Sequence, residues 1–209
     1  MQGYAQQPRI QVSNSRFNVS FRTDNRGFNY HISGSEKSYN FSFPSFEING
    51  KQLPAVVKDI KASAAVTVLS NCVSQYQFQG SFISEPALQL QIIFQVSPDN
   101  PVVRFQYALK TTKPLLLTKE IGKDNINYVS VASISSKIKE VRLSEFNERF
   151  HATSKTEYLL GEKYFENEAA VMGPIAVSGN GNESLLMAYE HGSQYPDRFL
   201  NFNCIVISQ

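Results

Sequence analysis

Apolar and polar residues alternate along much of this chain with a period of two. In "LQLQIIFQV", Leu88, Leu90, Ile92, Phe94 and Val96 share one face, while Gln89, Gln91 and Gln95 share the other. "FNVSF" groups Phe17, Val19 and Phe21, and "YNFSF" groups Tyr39, Phe41 and Phe43. "VRFQYAL" sets Val103, Phe105, Tyr107 and Leu109 opposite Arg104 and Gln106. Successive side chains of a strand point to opposite faces, so each stretch predicts a strand with one dry and one wet side. The pattern is antiparallel, because parallel strands covered on both faces read as unbroken apolar runs.

Turn signals separate these stretches at short intervals: "DNRG" ending at Gly27, Asn49-Gly50 in "FEINGKQL", and "SPDNP" from Ser97 to Pro101. Asn-Gly between two short apolar stretches predicts a type I′ hairpin, since both residues tolerate positive φ. "GNGN" at 179–182 predicts another hairpin loop, between "MGPIAVS" and "SLLMAYE". Helical periodicity is nearly absent, with one turn at most expected in "EKYFENEAAV" (162–171). Many short strands with frequent turns predict an all-β antiparallel sandwich. No repeat, low-complexity segment or Gly/Ser linker interrupts residues 1–209, so one domain is expected. From about Arg142 onward the chain becomes richer in charge and in clustered polar groups.

Composition narrows the function classes. A 42% hydrophobic share can fill a core and argues against wholesale disorder. The net charge is +2 with no block of five basic residues, which gives no basis for a nucleic-acid or membrane-surface partner. No run approaches the ~18 apolar residues of a membrane span. "MQGYAQQPRI" has neither a charged n-region nor an apolar h-region, so residues 1–10 are expected to be disordered or a signal-peptide remnant. Localisation stays open between a bacterial cytoplasm and a periplasmic or secreted setting. Cys72 and Cys204 are compatible with two thiols or with one disulfide. The sequons at Asn18, Asn40 and Asn182 are as frequent as chance gives in a chain this rich in Asn, Ser and Thr.

Most familiar chemistries lack their residues. "GNGNES" has neither the Lys-Ser/Thr of a P-loop nor the third Gly of a dinucleotide fingerprint. His31, His151 and His191 are far apart with no i,i+4 pair, so no metal and no cofactor is expected. Ser193 lies near His191, but no G-x-S-x-G elbow surrounds it. Between Leu143 and Leu200 the character differs, with Glu145, Glu148, Arg149, His151, Glu157 and Tyr158 followed by Glu190, His191, Gln194 and Asp197 among apolar residues. In "EFNERFHATSKTEY", Glu145, Glu148 and Arg149 read either as an exposed charged face, whose i,i+3 and i,i+4 pairs add only a few tenths of a kcal/mol each, or with Arg149 paired to a buried acid from another strand.

"EYLLGEKYF", "VMGPI" and "EHGSQYPDRFL", in that order, carry a resemblance to the amino-terminal β-sandwich domain of glycoside hydrolase family 36, which includes many microbial α-galactosidases. The resemblance is specific over roughly Ser144 to Phe202. Upstream it is one of strand rhythm, and the chain contains no Trp. It implies a large supersandwich, mutarotase-like in shape, preceding a (β/α)8 barrel that carries both catalytic aspartates. The parent enzyme would hydrolyse terminal α-galactosides of the melibiose and raffinose type with retention, using no metal. Such a barrel takes ~250 residues, and retention needs two carboxylates about 5–5.5 Å apart on either side of the bond. The resemblance therefore assigns no catalytic residue here and expects a noncatalytic domain whose partners are the barrel and further copies of itself. Residues 203–209, "NCIVISQ", do not resemble the family's continuation and read as an atypical truncated end.

Within this picture Glu190, His191, Gln194 and Asp197 are candidate interdomain or sugar-rim residues. Pro196 and Gly192 shape the loop, and the polar groups tie it to its own domain. A different reading is a free-standing carbohydrate-binding β-sandwich. A third is the amino-terminal sandwich of another α-glycosidase family, because such domains share strand rhythm.

Overall fold

The computed structural model describes residues 11–118, 127–133, 140–147, 152–159, 165–171, 175–179, 184–188 and 202–208. Every regular element among them is a strand, and all the pairings are antiparallel. The expected all-β antiparallel class is thus the one observed. The chain divides into two compact units, Met1–Ser135 and Ser136–Gln209.

The first unit opens with β1 (Gln11–Ser13), β2 (Phe17–Phe21), β3 (Gly27–Ile32) and β4 (Ser38–Ser42). Two short strands follow, β5 (Phe46–Ile48) and β6 (Lys51–Leu53), and then β7 (Val57–Ala62) and β8 (Thr67–Val68). The long strands are β9 (Ser74–Phe82), β10 (Leu88–Val96) and β11 (Val103–Thr111), after which come β12 (Leu117–Thr118) and β13 (Val131–Ser133). One sheet runs β1-β2-β3-β4-β13 and a second runs β11-β10-β9-β7, with β8 also paired to β9. A small third sheet runs β12-β5-β6.

The two larger sheets face each other through aromatic rings. Phe28 of β3 stacks on Phe41 of β4 at 5.0 Å and meets Phe94 of β10 edge-on at 5.1 Å and Phe105 of β11 at 5.3 Å. Phe21 reaches Phe78 at 5.1 Å and Phe94 at 6.1 Å. Offset and edge-to-face pairs of this kind contribute about 0.5–1.5 kcal/mol beyond the area they bury. The period-two pattern explains the arrangement. In β10, Leu88, Leu90, Ile92, Phe94 and Val96 are all buried, while the residues between them are half-exposed. Phe17 and Val19, and Tyr39, Phe41 and Phe43, are buried as the alternation predicts.

β11 is the exception. Val103, Phe105 and Tyr107 are half-buried and Leu109 is 42% exposed, although the alternation predicts a dry face. Its place accounts for this: among the described residues β11 ends its sheet, paired on one side to β10. Polar ties close the other end of the sandwich. The Tyr30 hydroxyl donates to the Pro101 carbonyl at 2.6 Å, and Asn14 Nδ2 donates to the Ser97 and Asn100 carbonyls at 2.7 and 2.8 Å. The "SPDNP" turn between β10 and β11 is thereby pinned to the first sheet.

Two backbone details follow from residue choice. Asn49 (φ 51°) and Gly50 (φ 74°) form the two-residue loop between Ile48 and Lys51, the type I′ geometry expected of Asn-Gly. In β7 the register to β9 slips between Lys58 and Lys61, with Asp59 at φ 55°. This bulge brings Val57 and Ile60 together over Gly80 of β9. A Cβ at residue 80 would lie 2.7 Å from Val57 Cγ1, 2.8 Å from the Lys58 carbonyl oxygen and 2.9 Å from Ile60 Cγ1.

The second unit contains β14 (Glu140–Asn147), β15 (Ala152–Leu159), β16 (Phe165–Val171), β17 (Ile175–Gly179), β18 (Ser184–Ala188) and β19 (Phe202–Ser208). One sheet runs β15-β14-β17-β18, and β16 pairs with β19. β17 and β18 pair from Ile175↔Ala188 to Gly179↔Ser184, as strands on either side of a hairpin loop should. Where the sequence allows one helical turn, residues 165–171 are strand. "FENEAAV" pairs in full register with β19, and this long-range pairing overrides the helix propensity of Glu and Ala.

Phe94→Ala removes a ring that is fully buried and in contact with both sheets. It is expected to lower stability by about 3–5 kcal/mol in urea unfolding. Gly80→Ala is expected to destabilise the fold despite adding one methyl, because a backbone carbonyl and two branched side chains occupy the space. An unchanged urea midpoint for Gly80→Ala would mean that the bulge relaxes freely.

Candidate functional site

The four residues singled out from sequence, Glu190, His191, Gln194 and Asp197, lie outside the described residues, as do Glu148, Arg149 and His151. Three others of the polar cluster have a backbone placement. Glu145 of β14 is opposite Ser154, Glu157 of β15 is opposite Arg142, and Tyr158 is opposite Val141. Residues 1–10 also lie outside the described set, and 203–208 fall on β19. Cys72 is an exposed free thiol at φ 61°.

Alternation puts the polar chemistry of the first unit on the outer faces of its two sheets. On β9 and β10 these positions are Gln75, Gln77 and Gln79, and Gln89, Gln91 and Gln95. Gln79 Nε2 donates to Gln89 Oε1 at 2.6 Å, Gln91 Nε2 to Gln77 Oε1 at 3.3 Å, and Gln95 Nε2 to Gln75 Oε1 at 2.9 Å. Each bond uses one donor of an amide with two and one acceptor of a partner with two lone pairs. The row is thus internally braced and still offers donors and acceptors outward. Its signal in the sequence is the alternation of Gln in "SQYQFQ" and "LQLQIIFQ".

The first sheet presents shorter groups. Register sets Gln11, Ser20, Asn29, Asn40 and Ala132 in one row across the five strands, with Ser13, Asn18, His31 and Ser38 beside it. At the end of β2 the chain turns back. Arg22 N donates to the Gly27 carbonyl at 2.9 Å, and Asp24 Oδ1 accepts from Arg26 N at 3.1 Å and from Arg22 Nε at 3.0 Å. Asp24 Oδ2 also pairs with Arg22 Nη2. Partial burial acts to raise the Asp24 carboxyl, but the Arg22 and Arg26 hydrogen bonds and charges outweigh it and hold the group below its ordinary value.

At the open edge, Tyr107 spans both sheets. Its hydroxyl donates to the Ser42 carbonyl at 3.0 Å, and its backbone N donates to the Tyr128 hydroxyl at 3.2 Å, with the two rings 5.2 Å apart. Burial raises the Tyr107 phenol well above its ordinary value, and the neighbouring Tyr128 adds to the effect. Burial raises Tyr30 in the same direction. These phenols act as fixed neutral donors that join sheet to sheet. Among the described residues no group of three or more His, Cys, Asp or Glu is arranged to hold a metal ion.

No protein-family model matches the chain, nor does any curated protein or solved structure.

Tyr107→Phe removes the donor to Ser42 and is expected to cost about 1 kcal/mol at neutral pH. The unfolded phenol ionises near pH 10, whereas the folded one stays protonated to higher pH. The unfolded state therefore binds fewer protons in that window, and the wild-type protein loses stability as pH rises above about 10. Chemical unfolding at graded alkaline pH should show a shallower decline for the Phe variant, and an identical decline would remove Tyr107 as its source.

Proposed function

We propose that this chain is a noncatalytic β-sandwich portion of an α-galactosidase-like glycoside hydrolase, acting as a scaffold for a separate catalytic barrel. The observation that carries this reading is the ordered set "EYLLGEKYF", "VMGPI" and "EHGSQYPDRFL" within residues 157–200. The all-β antiparallel architecture suits it, because a supersandwich requires paired sheets and wet outer faces on which another domain can lie. The braced amide row on β9 and β10 is a surface of that kind, rich in both donors and acceptors.

In this reading the substrate of the parent enzyme is a terminal α-galactoside. The two carboxylates that flank its glycosidic bond belong to the barrel, and no residue of this chain is assigned a catalytic role. Glu190, His191, Gln194 and Asp197 form the loop that meets the barrel or rims its sugar site.

The purified chain is expected to give no turnover of a nitrophenyl α-galactoside, and to bind a family 36 catalytic barrel supplied in trans. Binding should weaken when His191 and Asp197 are replaced by Ala. Turnover that copurifies with the monodisperse chain, or a barrel it ignores at micromolar concentration, would remove the proposal.

A further inference from the structure

Two Asn-Gly pairs occur in the chain, Asn49-Gly50 and Asn180-Gly181, and the first lies among the described residues. Asn49 and Gly50 are both exposed at the tip of the β5–β6 hairpin. An Asn side-chain amide followed by Gly is open to attack by the next backbone nitrogen, because Gly has no side chain to shield it. Here both reacting groups are held by the segment across from them. Gly50 N donates to the Thr118 hydroxyl at 2.8 Å, and Asn49 Oδ1 accepts from Leu116 N at 3.1 Å. Asn49 N also donates to the Leu116 carbonyl at 2.9 Å. Residues 116–118 therefore grip the loop at the nucleophile and at the electrophile together.

We propose that Asn49 is a site of spontaneous deamidation and that the Thr118 hydroxyl is the latch that sets its rate. Hydroxide takes the Gly50 amide proton, and the nitrogen forms a bond to Asn49 Cγ. The bond from Cγ to Nδ2 breaks, and Nδ2 leaves as ammonia after taking a proton from water. The succinimide ring that remains then adds one water. Opening at Cγ gives aspartate, whereas opening at the main-chain carbonyl gives isoaspartate, whose backbone is one carbon longer. Solvent supplies every co-reactant, and the exposure of the loop admits it. Attack is blocked while Gly50 N is bonded to Thr118, so the reaction proceeds from a locally opened hairpin. The two products differ in their effect on the fold. Aspartate keeps an oxygen for Leu116 N, now in a charge-assisted bond. Isoaspartate lengthens a loop that the Ile48↔Lys51 pairing limits to two residues, and so loosens the grip of residues 116–118 on β5. The site is a slow, one-way switch on the third sheet, and it does not depend on the hydrolase reading.

The test is to age the full chain in warm, mildly alkaline buffer and to follow its tryptic peptide 38–51 by mass spectrometry. The same peptide, aged free in solution, gives the unlatched rate. Aspartate and isoaspartate should both form at position 49, more slowly in the folded chain than in the peptide. That slowing should match the hydrogen-exchange protection of the Gly50 amide, which requires the same opening. Thr118→Val removes the hydroxyl and should speed the reaction of the folded chain by about two- to tenfold, the loss of one hydrogen bond. Thr118→Ser should keep it slow. The Leu116 amide should exchange faster in aged chain carrying isoaspartate than in Asn49→Asp. The exchange comparison needs no variant, so it decides the matter if Thr118→Val fails to fold. A folded chain that forms no isoaspartate while the free peptide converts fully would overturn the site, as would aspartate alone, the product of direct hydrolysis. Equal rates in Thr118→Val and wild type, or a slowing unrelated to Gly50 protection, would overturn the latch.

Discussion

The first unit depends on the contact between Phe28 and Phe94. Phe28 belongs to the central strand of one sheet and Phe94 to an inner strand of the other, and their rings meet edge-on at 5.1 Å. Both are fully buried. Phe41 and Phe105 pack against the same Phe28 ring, and Phe21 and Phe78 against Phe94, so ring contacts within and between the sheets meet at this pair. Because side chains alternate along each strand, fixing which residues meet here also fixes which residues face water. The amide row and the Ser20–Asn29–Asn40 row both occupy positions opposite in parity to the aromatic ones.

That dependence accounts for what sequence alone made legible. Strand pattern is local, and Leu88 to Val96 declares both its type and its inner face with no knowledge of its partners. The Asn49-Gly50 hairpin is equally local, since its geometry is set by two residues that tolerate positive φ. Pairing order is not local. Nothing in "VRFQYAL" marks that strand as an edge, and its half-covered Tyr107 and 42% exposed Leu109 go with its place at the end of the sheet among the described residues. "FENEAAV" shows the opposite failure, in which Glu and Ala blur a strand that only its long-range partner β19 makes clear.

The candidate sites divide along the same line. A contiguous polar loop such as "EHGSQYPDRFL" stands out to the eye, and it drew Glu190, His191, Gln194 and Asp197 as candidates, all outside the described residues. Ser20, Asn29 and Asn40 are nine and eleven residues apart and share no motif, so only the register of three strands brings them together. Their signal was present in "FNVSF", "GFNYHI" and "YNFSF" as small polar residues on the wet face, but solvent exposure alone explains such residues equally well. What sets Asn29 apart is an Oδ1 sealed from solvent without a partner, a property of packing that has no image in the sequence.

The glutamine row on β9 and β10 has one further consequence. Its hydrogen bonds join neutral groups that do not titrate, so neither acid nor alkali alters them, and added electrolyte has no formal charge there to screen. Register sets Lys61, Arg104 and Lys110 around the row, opposite Gln79, Gln95 and Gln89, so the bracing itself is indifferent to salt while the charges at its margins are not. A surface built from lysine and glutamate in the same places would have tied its associations to ionic strength.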